Sequence, residues 1–513
     1  MHDFILTLML LGAMSSGPVM PFWATANRFG IMPEADGGVA YISASGINDL
    51  SNTVQWSWGA SLAAGMDTYS APGKDINGGE PIPFEPETRI MMDQLYGSLR
   101  WKMFSLDLGM KHREQGFLAG NALQGPAFLG SLSTTGGNIL WSGNSRSIPG
   151  YSLNLEPVPV PFTGSRVEFS ASYGDYRTLD NRYVKGALLH NTRFGLTIHI
   201  TDRLDLLGRL DHYALWSGTH PERGKRPSGL KNYIRVVTGA HGSGEATTSD
   251  QINVLGDQRG EELYGLRWKG EGWTLTFQHD IPYDDGSGMG FQNFPDGVNT
   301  LHFGLKDKTN WVSDVLLEYA TTMWQSGTRH DWTDAEGNKH ISGGGDNYFN
   351  NGEYKSGWTL YGRTIGYPLF YPQGTRYGGW DPYHDPFDEV PSSPVLGIEN
   401  NRLKAMHLGL AGMLFKKVPY KLMLTYSQNY GIYRLPYKGE SQWEKDPGTV
   451  KETPLNQFSG AFMGEVPFKR LAFLYGLYAD KGEVLTGGTL KPTSIFGATL
   501  GVRWSLEASP SRL

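Results

Sequence analysis

Residues 494–506, reading SIFGATLGVRWSL, limit the possible folds more than any other stretch of this chain. Phe496, Ala498, Leu500, Val502, Trp504 and Leu506 share one face. Ile495, Gly497, Thr499, Gly501, Arg503 and Ser505 share the other. Strict period-two alternation marks a strand with one apolar and one wet side. A soluble sandwich can hold one such strand, but here the pattern returns along nearly the whole chain. Trp56, Trp58, Leu62 and Met66 alternate with Gln55, Ser57, Ser61 and Gly65, and Phe194, Leu196 and Ile198 with Arg193, Gly195 and Thr197. Leu317 and Tyr319 oppose Glu318, and Leu408 and Leu410 oppose His407 and Gly409. The apolar faces are expected to meet lipid and the others water.

The connectors between these runs carry a second pattern. Those near 201–203, 269–272, 307–311, 417–419 and 467–469 are short, whereas 68–88, 112–137, 217–259, 281–297, 324–402, 431–454 and 480–492 are long. Short and long alternate, as in an outer-membrane barrel with short periplasmic turns and long extracellular loops. The expected fold is therefore all-β: one transmembrane antiparallel barrel of about 18 strands. About seventeen strands are clear, and ends on the same side require an even number. Residues 19–26 are the candidate for the missing strand. The tail after residue 506 is expected in the periplasm.

Hydropathy does not oppose this fold. Mean hydropathy is -0.37, and no apolar run reaches the roughly 18 residues of a membrane helix. Barrel strands are only about 9 to 11 residues long with half their side chains inward, so they register weakly. Gly (68), Tyr (26) and Trp (15) are abundant, as β-strands and turns require. The chain of 513 residues contains no cysteine, which excludes disulfides, thiol catalysis and zinc–thiolate sites. A net charge of -6 argues against a nucleic-acid partner. Residues 4–14 (FILTLMLLGAM) have the length of a signal-peptide core, although no Lys or Arg precedes them. The expected division is a possible signal peptide at 1–17 and a single barrel domain at 18–513, with loop 324–402 as cap or plug.

No nucleophile elbow, phosphate-binding loop, metalloprotease pair or dinucleotide fingerprint is present, so neither enzyme nor cofactor is expected. The string 284–290 (DDGSGMG) offers carboxylates and a serine but lacks both calcium-loop spacing and a partner base. It reads as a structured turn. Asp381, His384 and Asp385 are interrupted by Pro382 and bounded by Pro386, which favours a stiff loop over a metal site. The aromatic residues of 324–402 are the stronger signal. Trp358 and Tyr361 are expected to pack inside a plug. Arg376, Trp380 and Tyr383, in a Gly/Pro-rich tip, are the candidate carbohydrate contacts, because aromatic faces suit the C–H faces of sugars and a guanidinium suits their acidic or hydroxyl rims.

Several strings resemble the Wzi family of outer-membrane capsule-assembly proteins. They are MPFWATANRFG from Met20, WSGNSRSIP from Trp141, TSDQINVLG from Thr248 and YDDGSGMGFQNFPDG from Tyr283. WVSDVLLEY from Trp311, DNYFNNGEYKSGWTLYGRTIGYPLF from Asp346 and ENNRLKAMHLGL from Glu399 complete the set. The resemblance implies an eighteen-stranded barrel in the bacterial outer membrane that binds capsular or extracellular polysaccharide and helps attach it to the cell surface. Its partners would be polysaccharide and outer-membrane lipid, with the chain acting as a monomer. The alternative is an outer-membrane porin for small polar solutes.

Overall fold

The computed structural model describes residues 2–17, 19–69, 85–113, 131–244, 246–247, 250–251, 254–284, 286–327, 332–337, 339–340, 344–372, 397–433, 452–483 and 493–508. Eighteen antiparallel strands form one sheet that closes on itself. The first six are β1 (His2–Ser15), β2 (Asp36–Asp49), β3 (Val54–Tyr69), β4 (Glu85–Trp101), β5 (Phe104–Met110) and β6 (Gly150–Pro159). Next come β7 (Val167–Arg177), β8 (Leu188–His199), β9 (Leu204–Trp216), β10 (Asp257–Lys269), β11 (Trp273–Tyr283) and β12 (Gly297–Leu305). The last six are β13 (Asp314–Thr321), β14 (Arg402–Leu414), β15 (Val418–Gly431), β16 (Leu455–Phe468), β17 (Leu471–Gly482) and β18 (Thr493–Ala508). Closure is made by β1, whose Leu8 pairs with Ile42 of β2 on one side and Trp504 of β18 on the other.

Connector parity holds all the way round. The turns 50–53, 102–103, 160–166, 200–203, 270–272, 306–313, 415–417 and 469–470 lie at one end, together with His2 and Ala508. The strand ends at the opposite end are those joined in sequence by 16–35, 70–84, 111–149, 178–187, 217–256, 284–296, 322–401, 432–454 and 483–492.

Two expectations need correction. The run 4–14, read as a signal-peptide core, forms the closing strand, and residues 19–26 are not a strand. That segment turns into the barrel and includes a helical turn at Phe22–Thr25. The physical reason lies in both faces of β1. Leu8, Leu10 and Met14 point outward, while Met9, Leu11 and Ala13 are buried. Met9 and Leu11 pack with Ile31, Met32, Tyr41, Ala63 and Met91 inside the barrel. A strand apolar on both faces loses its alternation and reads as a continuous hydrophobic run.

The outer wall follows the sequence pattern. Leu10, Met406 and Leu500 are 67%, 64% and 68% exposed, whereas the intervening His407 and Thr499 are buried. Exposed Trp101, Phe104, Trp268, Trp311, Phe415 and Phe468 decorate the short-turn end, where interfacial aromatic rings belong in a membrane barrel. The inner wall departs from expectation, because much of it is packed against protein instead of water.

Candidate functional site

Three segments enter the barrel: 16–35, 131–149 and 344–372. They share one apolar core containing Phe22, Trp23, Ile139, Trp141, Tyr348, Phe349, Trp358, Tyr367 and Phe370. The segments are tied to one another, with Trp358 Nε1 donating to the Leu140 carbonyl (2.6 Å) and the Tyr367 N–H to that of Ile139 (2.8 Å).

A row of inward side chains anchors the first two of them to the wall. Strand register places Thr300, Glu318, His407, Thr425, Ser459 and Asp480 side by side from β12 to β17. The Glu318 carboxylate accepts from the Ser133 hydroxyl (2.6 Å) and the Thr134 N–H (2.8 Å). His407 Nε2 contacts the Leu132 carbonyl at 2.8 Å. Trp23 Nε1 donates to Thr425 (3.0 Å), and the Phe22 N–H to Asp480 (2.9 Å). On the opposite wall, Asn138 donates to Asp211 (3.0 Å) and the Ile139 N–H to Asp280 (3.1 Å). Buried polar groups of the inserts thus find partners on strands far round the barrel.

Toward the long-connector end, the inserts meet β3 and β4 through charge. Arg89 of β4 pairs with Asp67 of β3 (2.8 Å) and donates to the Met32 carbonyl (3.2 Å). Arg363 donates to Glu34 (3.0 Å) and to the Thr25 carbonyl (3.3 Å). Gly30 runs between Arg363 and Arg146, with a left-handed φ of 65°. Arg146 lies over the Tyr361 ring, 4.3 Å from its centroid, and makes no ion pair among the described residues. Burial, partly offset by Tyr361, holds its guanidinium below the usual range.

Tyr361 owes its place to a tight hairpin. Thr359 pairs with Thr364 and Leu360 with Arg363, leaving Tyr361-Gly362 as a two-residue turn with φ of 49° and 74°. Positive φ at both positions is the type I′ geometry, which an aromatic residue adopts only under strain. The turn holds Tyr361 at its tip, 39% exposed, with Arg363 alongside. Two neighbours continue this strip. Phe29 stacks on His112 (3.5 Å between centroids, 6° interplanar), and Arg113 lies over Tyr176 at 4.7 Å. Nε and Nη2 of Arg113 are shielded and without a hydrogen-bond partner among the described residues.

Among the described residues, Arg89, Arg146 and Arg363 face Glu34 and Asp67, while Asp180, which accepts from the Tyr361 N–H (3.2 Å), is paired with Arg182 (3.7 Å), so a guanidinium excess stands beside a partly exposed ring. Guanidinium forks bind carboxylates and hydroxyl pairs, and an aromatic face suits the C–H side of a pyranose. Such an arrangement is chemically suited to holding an anionic or hydroxyl-rich ligand; among the described residues no nucleophile and base are brought together in it.

The sequence-named contacts Arg376, Trp380 and Tyr383 lie outside the described residues, as do Asp381, His384 and Asp385. Trp358 is buried as expected, whereas Tyr361 is not the core residue expected of it. Asp284 of the site-like string pairs with buried Arg259 at 2.8 Å, a structural use. Arg146 and Arg363 were missed, although each sits inside a string that carries the family resemblance. Those strings are distant in sequence, and only the barrel brings them together.

No family model matches the chain, and no curated protein does. Among solved structures it is similar to Wzi of Escherichia coli, described as a carbohydrate-binding β-barrel of the outer membrane involved in group 1 capsule assembly. That match has a TM-score of 0.52 at 13% identity, covering 97% of this chain and 83% of the other. At that identity the likeness is one of fold. This chain is an outer-membrane β-barrel. Its exposed apolar band and closed sheet belong in the bacterial outer membrane. Acinetobacter baumannii OccAB4 has a TM-score of 0.42 at 11% identity, with 99% and 98% of the two chains covered. Pseudomonas aeruginosa OpdK, solved with vanillate, has a TM-score of 0.43 at 10% identity, with 99% of each chain covered. Scores this low add nothing to the assignment.

Proposed function

We propose that this barrel is a non-catalytic, monomeric lectin-like protein that binds an acidic capsular or extracellular polysaccharide at its long-connector end and helps attach it to the cell. The observation that carries the reading is the lumen, which three hydrogen-bonded inserts occupy where a diffusion porin keeps an aqueous path. The strip of Arg89, Arg146, Arg363 and Tyr361 would hold the acidic sugars. The carbohydrate-binding character of the structurally similar Wzi supports the same reading. Arg376, Trp380 and Tyr383 are candidate further contacts from the same connector as Tyr361.

Binding of purified barrel to acidic and neutral fractions of the host's surface polysaccharide tests it. Arg146→Gln removes a guanidinium that makes no ion pair among the described residues and only overlies the Tyr361 ring. Tyr361→Asn removes the ring while Asn-Gly keeps the type I′ turn. Each is expected to weaken binding of the acidic fraction about tenfold, in the range of one lost charge-assisted contact, with heat resistance unchanged. Unchanged binding in both variants, or preference for the neutral fraction, contradicts the assignment.

A further inference from the structure

The outer wall holds a second cavity, remote from the arginine strip. It measures about 740 Å³ and is lined by Phe277, His279, Phe294, Tyr319, Trp324 and Lys404, with Asn299 among them. Its position follows from register on the outward face of β11 to β14. Phe277, Leu301, Leu317 and Leu408 form one row across the four strands, within the lipid-facing band. Two residues nearer the long connectors, the next row is His279, Asn299, Tyr319 and Met406. Lys404, paired with Thr321, is one step further up. The wall thus passes from hydrocarbon-like to polar within a few ångströms, at the level where headgroups lie.

Connector 284–296 completes the cavity. Phe294 stands exposed on the outside of the barrel, and Phe291 of the same connector reaches Tyr264 of β10 at 6.2 Å. Trp324 forms the upper edge, its indole N–H donating to the Gln292 carbonyl (2.7 Å). The charges of the lining are unequal. Arg402 is neutralised by Glu452, and the Asp296 carboxylate is saturated by the Trp324 and Gln325 N–H groups (2.9 and 2.6 Å) and the Tyr348 hydroxyl (3.1 Å). Formally Lys404 balances Asp296, but Asp296 is fully buried within its own hydrogen bonds, whereas Lys404 is exposed and makes no ion pair among the described residues, so the charge an occupant of the cavity can reach is cationic. His279 sits shielded beside its cross-strand neighbour Asn299, so the lining offers polar groups next to the apolar row.

We propose that this cavity holds the headgroup of a phosphorylated lipid of the surrounding leaflet, with phosphate at Lys404 and acyl chains descending along Leu301, Leu317 and Leu408. A lipid is the occupant because the cavity opens onto the lipid-facing band and is continuous with it. An anion is called for because the charge within an occupant's reach is a lysine, and a strongly hydrated ammonium is a good point-charge partner for phosphate.

Native mass spectrometry of the full barrel in detergent, titrated with bisphosphorylated lipid A, tests the proposal. One retained lipid per barrel is expected, weakened about tenfold or more by Lys404→Gln and restored by Lys404→Arg, with tenfold corresponding to about 1.4 kcal/mol. Lys404 is exposed, so neither change should disturb folding. Dephosphorylated lipid A is expected to bind much more weakly. Equal binding of both lipids, or undiminished binding by Lys404→Gln, overturns the proposal. So does equal affinity for inorganic phosphate alone, which would make this a free-anion site. A Phe294-dependent dimer without retained lipid would give the groove to a second copy and overturn it as well.

Discussion

Arg28 shows how much polarity this barrel encloses. It is 4% exposed, its Nη2 makes a soft contact to the Met463 sulfur (2.7 Å), and Nη1 has no hydrogen-bond partner among the described residues. Burial holds its guanidinium below the usual range. A buried charge without a carboxylate costs stability, so Arg28→Met is expected to raise thermal stability by about 1 kcal/mol or more, read as a higher melting temperature in detergent. The reverse holds at Thr425. Removing its hydroxyl in Thr425→Val strands the buried Trp23 indole N–H, at about 1–3 kcal/mol, and faster protease cleavage within 16–35 is the expected readout. On the lipid side, Leu500→Arg should cost about 2–4 kcal/mol if it sits near the bilayer midplane, measured by folding into lipid. An inward arginine at His407 or Thr499 is not the mild change a wet lumen would allow, because both side chains are buried and hydrogen-bonded.

At the scale of elements, the outward faces were legible in the sequence because lipid imposes one rule on every strand: apolar at alternate positions. Connector parity was legible for the same reason, since antiparallel closure forces it. The inward row of Thr300, Glu318, His407, Thr425, Ser459 and Asp480 was not, because it exists only through strand register, which no local pattern encodes. β1 was hidden by packing on both of its faces. The arginine strip was hidden by distance along the chain, since Arg89, Arg146 and Arg363 meet only after closure. Tyr361-Gly362 is a place where a local signal was available, in a glycine directly before Arg363, but an aromatic at φ > 0 is not a residue from which a turn is inferred. The row makes a test of its own. Glu318→Ala should leave the Thr134 N–H unpaired and cut the Ser133 hydroxyl's tie to the wall, speeding hydrogen exchange across 131–149 while β12 and β14 stay protected. Equal loosening of those strands would mean that the row holds the wall and not the insert.

For the whole molecule, the architecture separates two surfaces. The outer wall is adapted to lipid, with an apolar band, an aromatic ring at the short-turn end and a cationic cavity near the other. The interior is adapted to its own chain, with three inserts joined by a common apolar core and held by polar anchors on both walls. That division is why binding is proposed over diffusion: side chains such as Trp23, Trp141 and Trp358 occupy the interior of the barrel. Single-channel recording of the purified barrel in a planar bilayer tests this claim most directly. The expected result is no steady open-channel current, with at most brief openings, because the inserts are fixed to the wall by buried hydrogen bonds. A steady conductance of the size seen for open porins would contradict the account and favour a porin for small polar solutes.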